Sequence, residues 1–173
     1  MQNNTLEVHP FGAFVQTDTR YLVVGTFPGR QFSQRSAAEN EADATAFSYG
    51  GRNQFWRILE KIYTVELPDR ASKQRLFTEK RLGLMDVIAA CRRKKDSNLD
   101  TDLTDIVWNK PAFEELFDAQ EIEMVFCTGK AVATIFTKWF PDKPCVALPS
   151  PSPLFAAMRF EQKLAFYQGV FPK

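Results

Sequence analysis

The 173-residue sequence contains one histidine, His9. That scarcity argues against a His pair, a multi-His metal site or a Ser-His-Asp triad. His9 precedes Pro10 and reads as a packed arm residue rather than a catalyst. Cysteines are few and scattered: Cys91, Cys127 and Cys145, with no Cys-x-x-Cys and no even-numbered framework. A reduced, cytoplasmic compartment is expected. No apolar run is long enough to span a membrane. Met1-Gln2-Asn3-Asn4-Thr5 lacks the basic and apolar regions of a secretory leader. Charge of one sign is not in excess: 22 Lys and Arg face 21 Asp and Glu, a net +1. The chain is therefore no global polycation, although a local basic face is still allowed. Gly-rich phosphate signatures are missing too. Gly25-Thr26-Phe27-Pro28-Gly29 is not Gly-x-Gly-x-x-Gly, and Thr128-Gly129-Lys130-Ala131 lacks the first glycine and final Ser/Thr of a Walker loop. There is no linker, repeat or low-complexity stretch, so residues 1–173 read as one domain.

What is present is an alternation of short apolar strands and amphipathic helices. Tyr21 to Gly25, Leu84 to Ile88, Ile122 to Cys127 and Cys145 to Leu148 read as strands. A helix starts at Asn53, with Phe55, Leu59 and Ile62 on one stripe and Trp56 and Tyr63 beside it. Asp69 is placed to cap a second helix through Arg81, with Gly83 as its stop. Pro111 fits the first turn of a third helix. A fourth follows Thr128-Gly129, and the last runs from about Leu154 to Gln168. Arg35 to Thr45 reads as a surface loop or frayed helix, and Cys91 to Asp100 as a polar, basic loop. This order predicts an α/β fold: a three-layer α/β/α sandwich around a mostly parallel, four-stranded sheet. Ligands of such sheets bind outside the carboxyl ends of the strands. The turn after Gly25 and the loops after Cys127 and Leu148 all fall there.

Three segments stand out as chemistry. In Gly25-Thr26-Phe27-Pro28-Gly29 the glycines suit a tight turn. The backbone N–H groups of Thr26 and Phe27 could instead stabilise charge developing on a ligand oxygen. In Phe47-Ser48-Tyr49-Gly50-Gly51-Arg52-Asn53-Gln54-Phe55-Trp56, two aromatics and an asparagine crowd before a helix. Phe47 and Tyr49 are either helix packing or platforms for a flat ring. Asn53 is either a helix cap or the holder of a water molecule, two uses that compete for one carbonyl oxygen. In Leu148-Pro149-Ser150-Pro151-Ser152-Pro153 three locked φ angles stiffen a loop whose serines can meet phosphate oxygens. Leu154 or Phe155 could wedge into a duplex, or simply pack. Arg92-Arg93-Lys94-Lys95 and the Arg70–Arg81 helix are candidate phosphate contacts.

In order and spacing these segments resemble the uracil-DNA glycosylase superfamily, most of all its hypoxanthine (deoxyinosine) DNA glycosylase branch. Gly83-Leu84-Met85-Asp86-Val87-Ile88 with Cys91, Arg92, Ser97 and Asp100 adds to the likeness. The chain departs from that branch at Gly50-Gly51, where His-Pro is common, and at Pro151 and Leu154-Phe155 in the late loop. The superfamily's acidic water-activating residue in the first turn is absent. The resemblance implies a monofunctional DNA glycosylase that removes a deaminated base, hypoxanthine or uracil, to begin base excision repair. Its partner would be DNA containing a damaged base. No metal or other cofactor is expected, and the chain would act as a monomer. On this resemblance Asn53 is catalytic. Gly25, Thr26, Phe27, Phe47 and Tyr49 bind the base, with Phe47 the first stacking platform and Tyr49 the second. Arg52, Ser150, Pro151, Ser152 and Leu154 meet the DNA. The alternative is a catalytically silent DNA- or nucleotide-binding member of the fold.

Overall fold

The computed structural model describes residues 5–173. The reading of Met1-Gln2-Asn3-Asn4 as part of no leader lies outside the described residues. Four parallel strands form the central sheet in the order β3-β2-β6-β7. They are β2 (Tyr21–Gly25), β3 (Leu82–Asp86), β6 (Met124–Cys127) and β7 (Cys145–Ala147). In β2, Leu22 and Val24 face one side and Val23 the other, and all three are fully buried. Alternation on a strand covered on both faces demands apolar residues at every position.

One face carries α3 (Phe55–Tyr63), α4 (Arg70–Glu79) and α7 (Phe160–Val170). Its core joins Phe55, Ile58, Leu59, Phe77, Phe126 and Tyr167. The other face carries α5 (Lys110–Ala119) and α6 (Lys130–Trp139), packed through Phe113, Val132 and Phe136. The three expected layers are therefore present. Two short helices, α1 (Arg30–Ser33) and α2 (Ala37–Ala42), lie between β2 and the cleft segment. Ser36 and Glu39 close a reciprocal capping box on α2, which orders a stretch whose sequence has no apolar face. Among the described residues no helix is long and apolar enough to cross a membrane.

Three boundaries differ from expectation. The Asp69-capped helix ends at Glu79, and the chain turns through Arg81 at φ +53°. Gly83 is therefore not a helix stop but an inner residue of β3. The supposed loop from Cys91 to Asp100 begins as strand. β4 (Ile88–Arg93) pairs antiparallel with β1 (Glu7–Val8) and with β5 (Leu103–Trp108), a second sheet that the alternation of elements gave no sign of. Arg93 belongs to it because its guanidinium is buried against Glu7, with Nε 2.9 Å from Oε2. The last helix starts at Phe160 rather than Leu154, after the stiff loop and a further turn at Leu154–Met158.

Candidate active site

A cavity of about 660 Å³ opens at the carboxyl ends of β2, β3 and β6. The Thr26–Gly29 turn, the Ser48–Asn53 segment and the Ser150–Phe155 loop all line it. The structure thus brings the three segments into one cleft. Gln54 N–H donates to the Pro151 carbonyl at 2.9 Å, tying the second segment to the third.

Residue by residue, the first turn offers free donors: no acceptor among the described residues takes the N–H of Thr26 or Phe27. Gly25 lies beneath the cleft rather than on its wall. A Cβ there would fall inside 3.0 Å of both Asp86 Oδ1 and the Tyr49 hydroxyl, closer than real Cβ contacts allow. Glycine is needed at this point so that two polar side chains can close over the strand end.

Phe47 requires a correction. It is 4% exposed, stacks on Trp56 at 5.6 Å and sits edge-on to Phe14 and Phe77. The hydrophobic core takes this ring and the cavity does not, so it is withdrawn as a platform for a base. Tyr49 and Phe27 are the aromatic rings on the cleft wall. Ser48 and Tyr49 are held at φ +39° and +45°, a left-handed conformation that costs a non-glycine residue energy. Trp56 Nε1 pins the Ser48 carbonyl at 3.0 Å, and the Tyr49 ring lies 4.3 Å from that of Phe55. Gly50 has no side chain because the Phe32 ring occupies the place of its Cβ.

Asn53 lines the cleft and caps the helix at once. Its Oδ1 accepts the Phe55 N–H at 2.9 Å, so the helix begins at Phe55 behind Gln54. The amide nitrogen has no acceptor among the described residues. Arg52 is exposed at the rim. In the late loop Ser150 Oγ accepts Ser152 N–H at 3.3 Å and Ser152 Oγ accepts Leu154 N–H at 3.2 Å. Both hydroxyl protons remain available to a phosphate. Pro151 is buried, and Leu154 is 65% exposed at the lip.

The predicted phosphate contacts are only partly free. Arg93 also donates to the Pro28 and Ser97 carbonyls, at 3.0 and 3.1 Å, and so braces the first turn. Arg70 holds the carbonyls of Asn40, Asp43 and Ala46. Arg92 faces Asp105 at 3.5 Å. These side chains serve the fold, whereas Lys94 and Lys95 are exposed.

Sequence reasoning missed two groups. Lys163 is 1% exposed, and its Nζ donates to the Ser152 carbonyl at 2.9 Å and to Gln54 Oε1 at 3.1 Å. Desolvation pushes its pKa down. Tyr167 donates to the Pro149 carbonyl at 2.9 Å. Together they clamp the stiff loop from α7, and nothing in the local pattern of α7 marks them. The other group is Asp86, at the end of β3, 6% exposed and on the cleft wall. Its signal was legible as one carboxylate inside the apolar run Leu84–Ile88. His9 packs behind it as an arm residue, with Nε2 2.9 Å from Asp86 Oδ2. Asp100 stands on the same wall. Solvent reaches Asp100, yet crowding protein desolvates it and pushes its pKa up. A hydrogen bond with Thr26 opposes that rise, and the Asp86 charge adds to it. Among the described residues no group of three or more His, Cys, Asp or Glu side chains could hold a metal ion.

The model of the uracil DNA glycosylase superfamily matches residues 11–170. The chain belongs to this superfamily. Its fold is similar to the solution NMR structure of a candidate uracil DNA glycosylase from Methanosarcina acetivorans. The identity is 19%, the TM-score 0.66, and 96% of this chain and 97% of that one are covered. No curated protein matches. In a superfamily of DNA glycosylases the cleft described above is where damaged DNA is expected to enter, at the carboxyl ends of the parallel strands.

Proposed function

We propose that this superfamily member is a monofunctional DNA glycosylase acting on a deaminated base, hypoxanthine or uracil, flipped out of DNA. The observation that carries the reading is the convergence of Asn53, the free Thr26 and Phe27 N–H groups and the Ser150–Leu154 loop on one cleft. Flipping costs a few kcal/mol and is easiest at a mismatched or damaged pair. Tyr49 or Phe27 would stack the extruded base. The Asn53 amide would orient a water molecule toward C1′. As the C1′–N bond breaks, its electron pair leaves with the base, and the Thr26 and Phe27 N–H groups would hold the resulting anion. The water oxygen bonds C1′ from the other face, its proton is lost, and the base takes up a proton on release. Ser150, Ser152 and Arg52 would hold phosphates, and Leu154 would fill the gap left in the stack.

The alternative, a silent DNA-binding member, draws on one observation: Asn53 Oδ1 already accepts a helix N–H. Single-turnover excision decides between the two. Labelled duplexes carry one uracil or one hypoxanthine opposite each normal base, with wild type and Asn53→Ala in parallel. Cleavage by wild type alone supports the glycosylase and names the base. Survival of every duplex at stoichiometric enzyme overturns it.

A further inference from the structure

Asp86 and Tyr49 form the floor of the cleft beside the first turn, and the protein's own hydrogen bonds set the polarity of both. His9 Nδ1 accepts the N–H groups of Gly12 and Phe11, at 3.0 and 3.3 Å. The ring proton is therefore on Nε2, which donates to Asp86 Oδ2 at 2.9 Å. No donor among the described residues reaches Asp86 Oδ1, although the side chain is more than nine-tenths buried. The Tyr49 hydroxyl is 3.2 Å from Thr128 Oγ1. The Thr128 proton is engaged by the Val24 carbonyl at 3.1 Å, so Tyr49 is the donor of that pair. Desolvation, followed by the nearby Asp86 charge, raises the Tyr49 pKa well above its usual value, so the phenol stays neutral. Both oxygens crowd the same point above Gly25. What faces the cavity there is two acceptors and no donor. A buried acceptor left without a donor is costly, so this floor calls for a ligand that brings N–H groups.

We propose that Asp86, positioned by His9, and Tyr49 are the specificity determinants of the cleft, selecting bases that present a ring N–H. This deepens the glycosylase reading and rests on it. Deamination changes the chemistry of that edge. Adenine N1 and cytosine N3 are lone-pair acceptors, whereas hypoxanthine N1 and uracil N3 carry protons. An acceptor-only floor binds the second pair and repels the first. One pair of side chains thus tells both deaminated bases from their parents without reading ring size. A carboxylate does this better than an amide, which could rotate to offer either group.

The test measures binding to duplexes carrying a hydrolysis-resistant 2′-fluoro nucleoside of hypoxanthine, adenine or 1-deazaadenine. Each stands opposite a non-hydrogen-bonding difluorotoluene nucleotide, so pairing strength drops out. Wild type is expected to prefer hypoxanthine over adenine by about tenfold or more, the scale of an unpaired buried acceptor. It should also bind 1-deazaadenine, which lacks the N1 lone pair, more tightly than adenine. Asp86→Asn is expected to shrink the hypoxanthine preference to within about threefold while binding abasic-site DNA as wild type does. Equal wild-type affinity for adenine and hypoxanthine, or no gain from 1-deazaadenine, overturns the proposal. So does an undiminished preference in a folded Asp86→Asn. The wild-type comparisons stand even if the variant does not fold. Excision without this selectivity would sink the floor assignment alone. Selectivity without excision would sink the glycosylase and leave the floor.

Discussion

Asn53 occupies the place where capping and chemistry compete, and its two roles can be separated. Asn53→Ala should remove both: about 1 kcal/mol of stability for the lost cap and about 10²-fold or more of the excision rate for a displaced water. Asn53→Asp keeps the acceptor for the Phe55 N–H but loses the amide donor. It should therefore melt close to wild type while excision stays impaired. A variant that melts like wild type and excises normally would show that the amide has no part in the reaction. Thermal denaturation and single-turnover rates, run on the same preparations, make the comparison. The cap was legible from residue type, and the cleft position from the resemblance. That one amide meets both conditions is visible only with Phe55 N–H and the cavity wall in the same frame. Phe47 shows the reverse case. An aromatic beside glycines looks the same in sequence whether it faces a ligand or a core, and the neighbouring rings of Trp56 and Phe77 decided it.

At the scale of elements, the cleft is held open from outside its own segments. α7 reaches the late loop through Lys163 and Tyr167. Lys163→Met fits the same slot but leaves Gln54 Oε1 and the Ser152 carbonyl without their donor, which should cost about 1–3 kcal/mol. It should also raise the KM for DNA more than it lowers kcat, because phosphate positioning suffers before the chemistry does. A fall in kcat alone would assign Lys163 a different role. The first turn is braced by the Glu7–Arg93 pair, both members of which are buried. Burial alone would raise the Glu7 pKa. Hydrogen bonds from Gln34, Ser33 and Arg93, together with the Arg93 charge, outweigh it and lower the pKa below the usual carboxylate range. A carboxylate lowered on folding stabilises the native state above its unfolded pKa, and that contribution disappears as pH falls through the lowered value. The melting temperature of wild type should therefore exceed that of Glu7→Gln at neutral pH, and the gap should narrow toward acid. A gap independent of pH would mean that the pair contributes packing rather than charge.

On the scale of the whole molecule, a net charge of +1 leaves DNA binding to a local face. Affinity for duplex should fall with salt by about 0.9 log units per log unit of salt for each phosphate contacted. Arg52, exposed at the rim, is expected to be one such contact. Arg52→Ala should weaken binding by a similar factor for every sequence and reduce the salt slope by about 1, as measured by titration at several ionic strengths. An unchanged slope would remove Arg52 from the interface. Arg70 and Arg93, by contrast, should report on stability first, since their guanidinium groups are bound to carbonyls and carboxylates inside the fold.

The sequence alone determined the order of strands and helices, the parallel sheet and the end of it at which a site would lie. Those follow from local periodicity, glycine and proline positions and the geometry of crossover connections. Tertiary structure alone decided which polar groups are free. Arg93 joined a second sheet, Phe47 entered the core, and Lys163 turned inward to clamp a loop. It also left Asp86 and Tyr49 as bare acceptors over Gly25. Each of these depends on partners 8 to more than 100 positions away in the chain, and the energy of a buried polar group depends on its partners rather than on its neighbours in sequence.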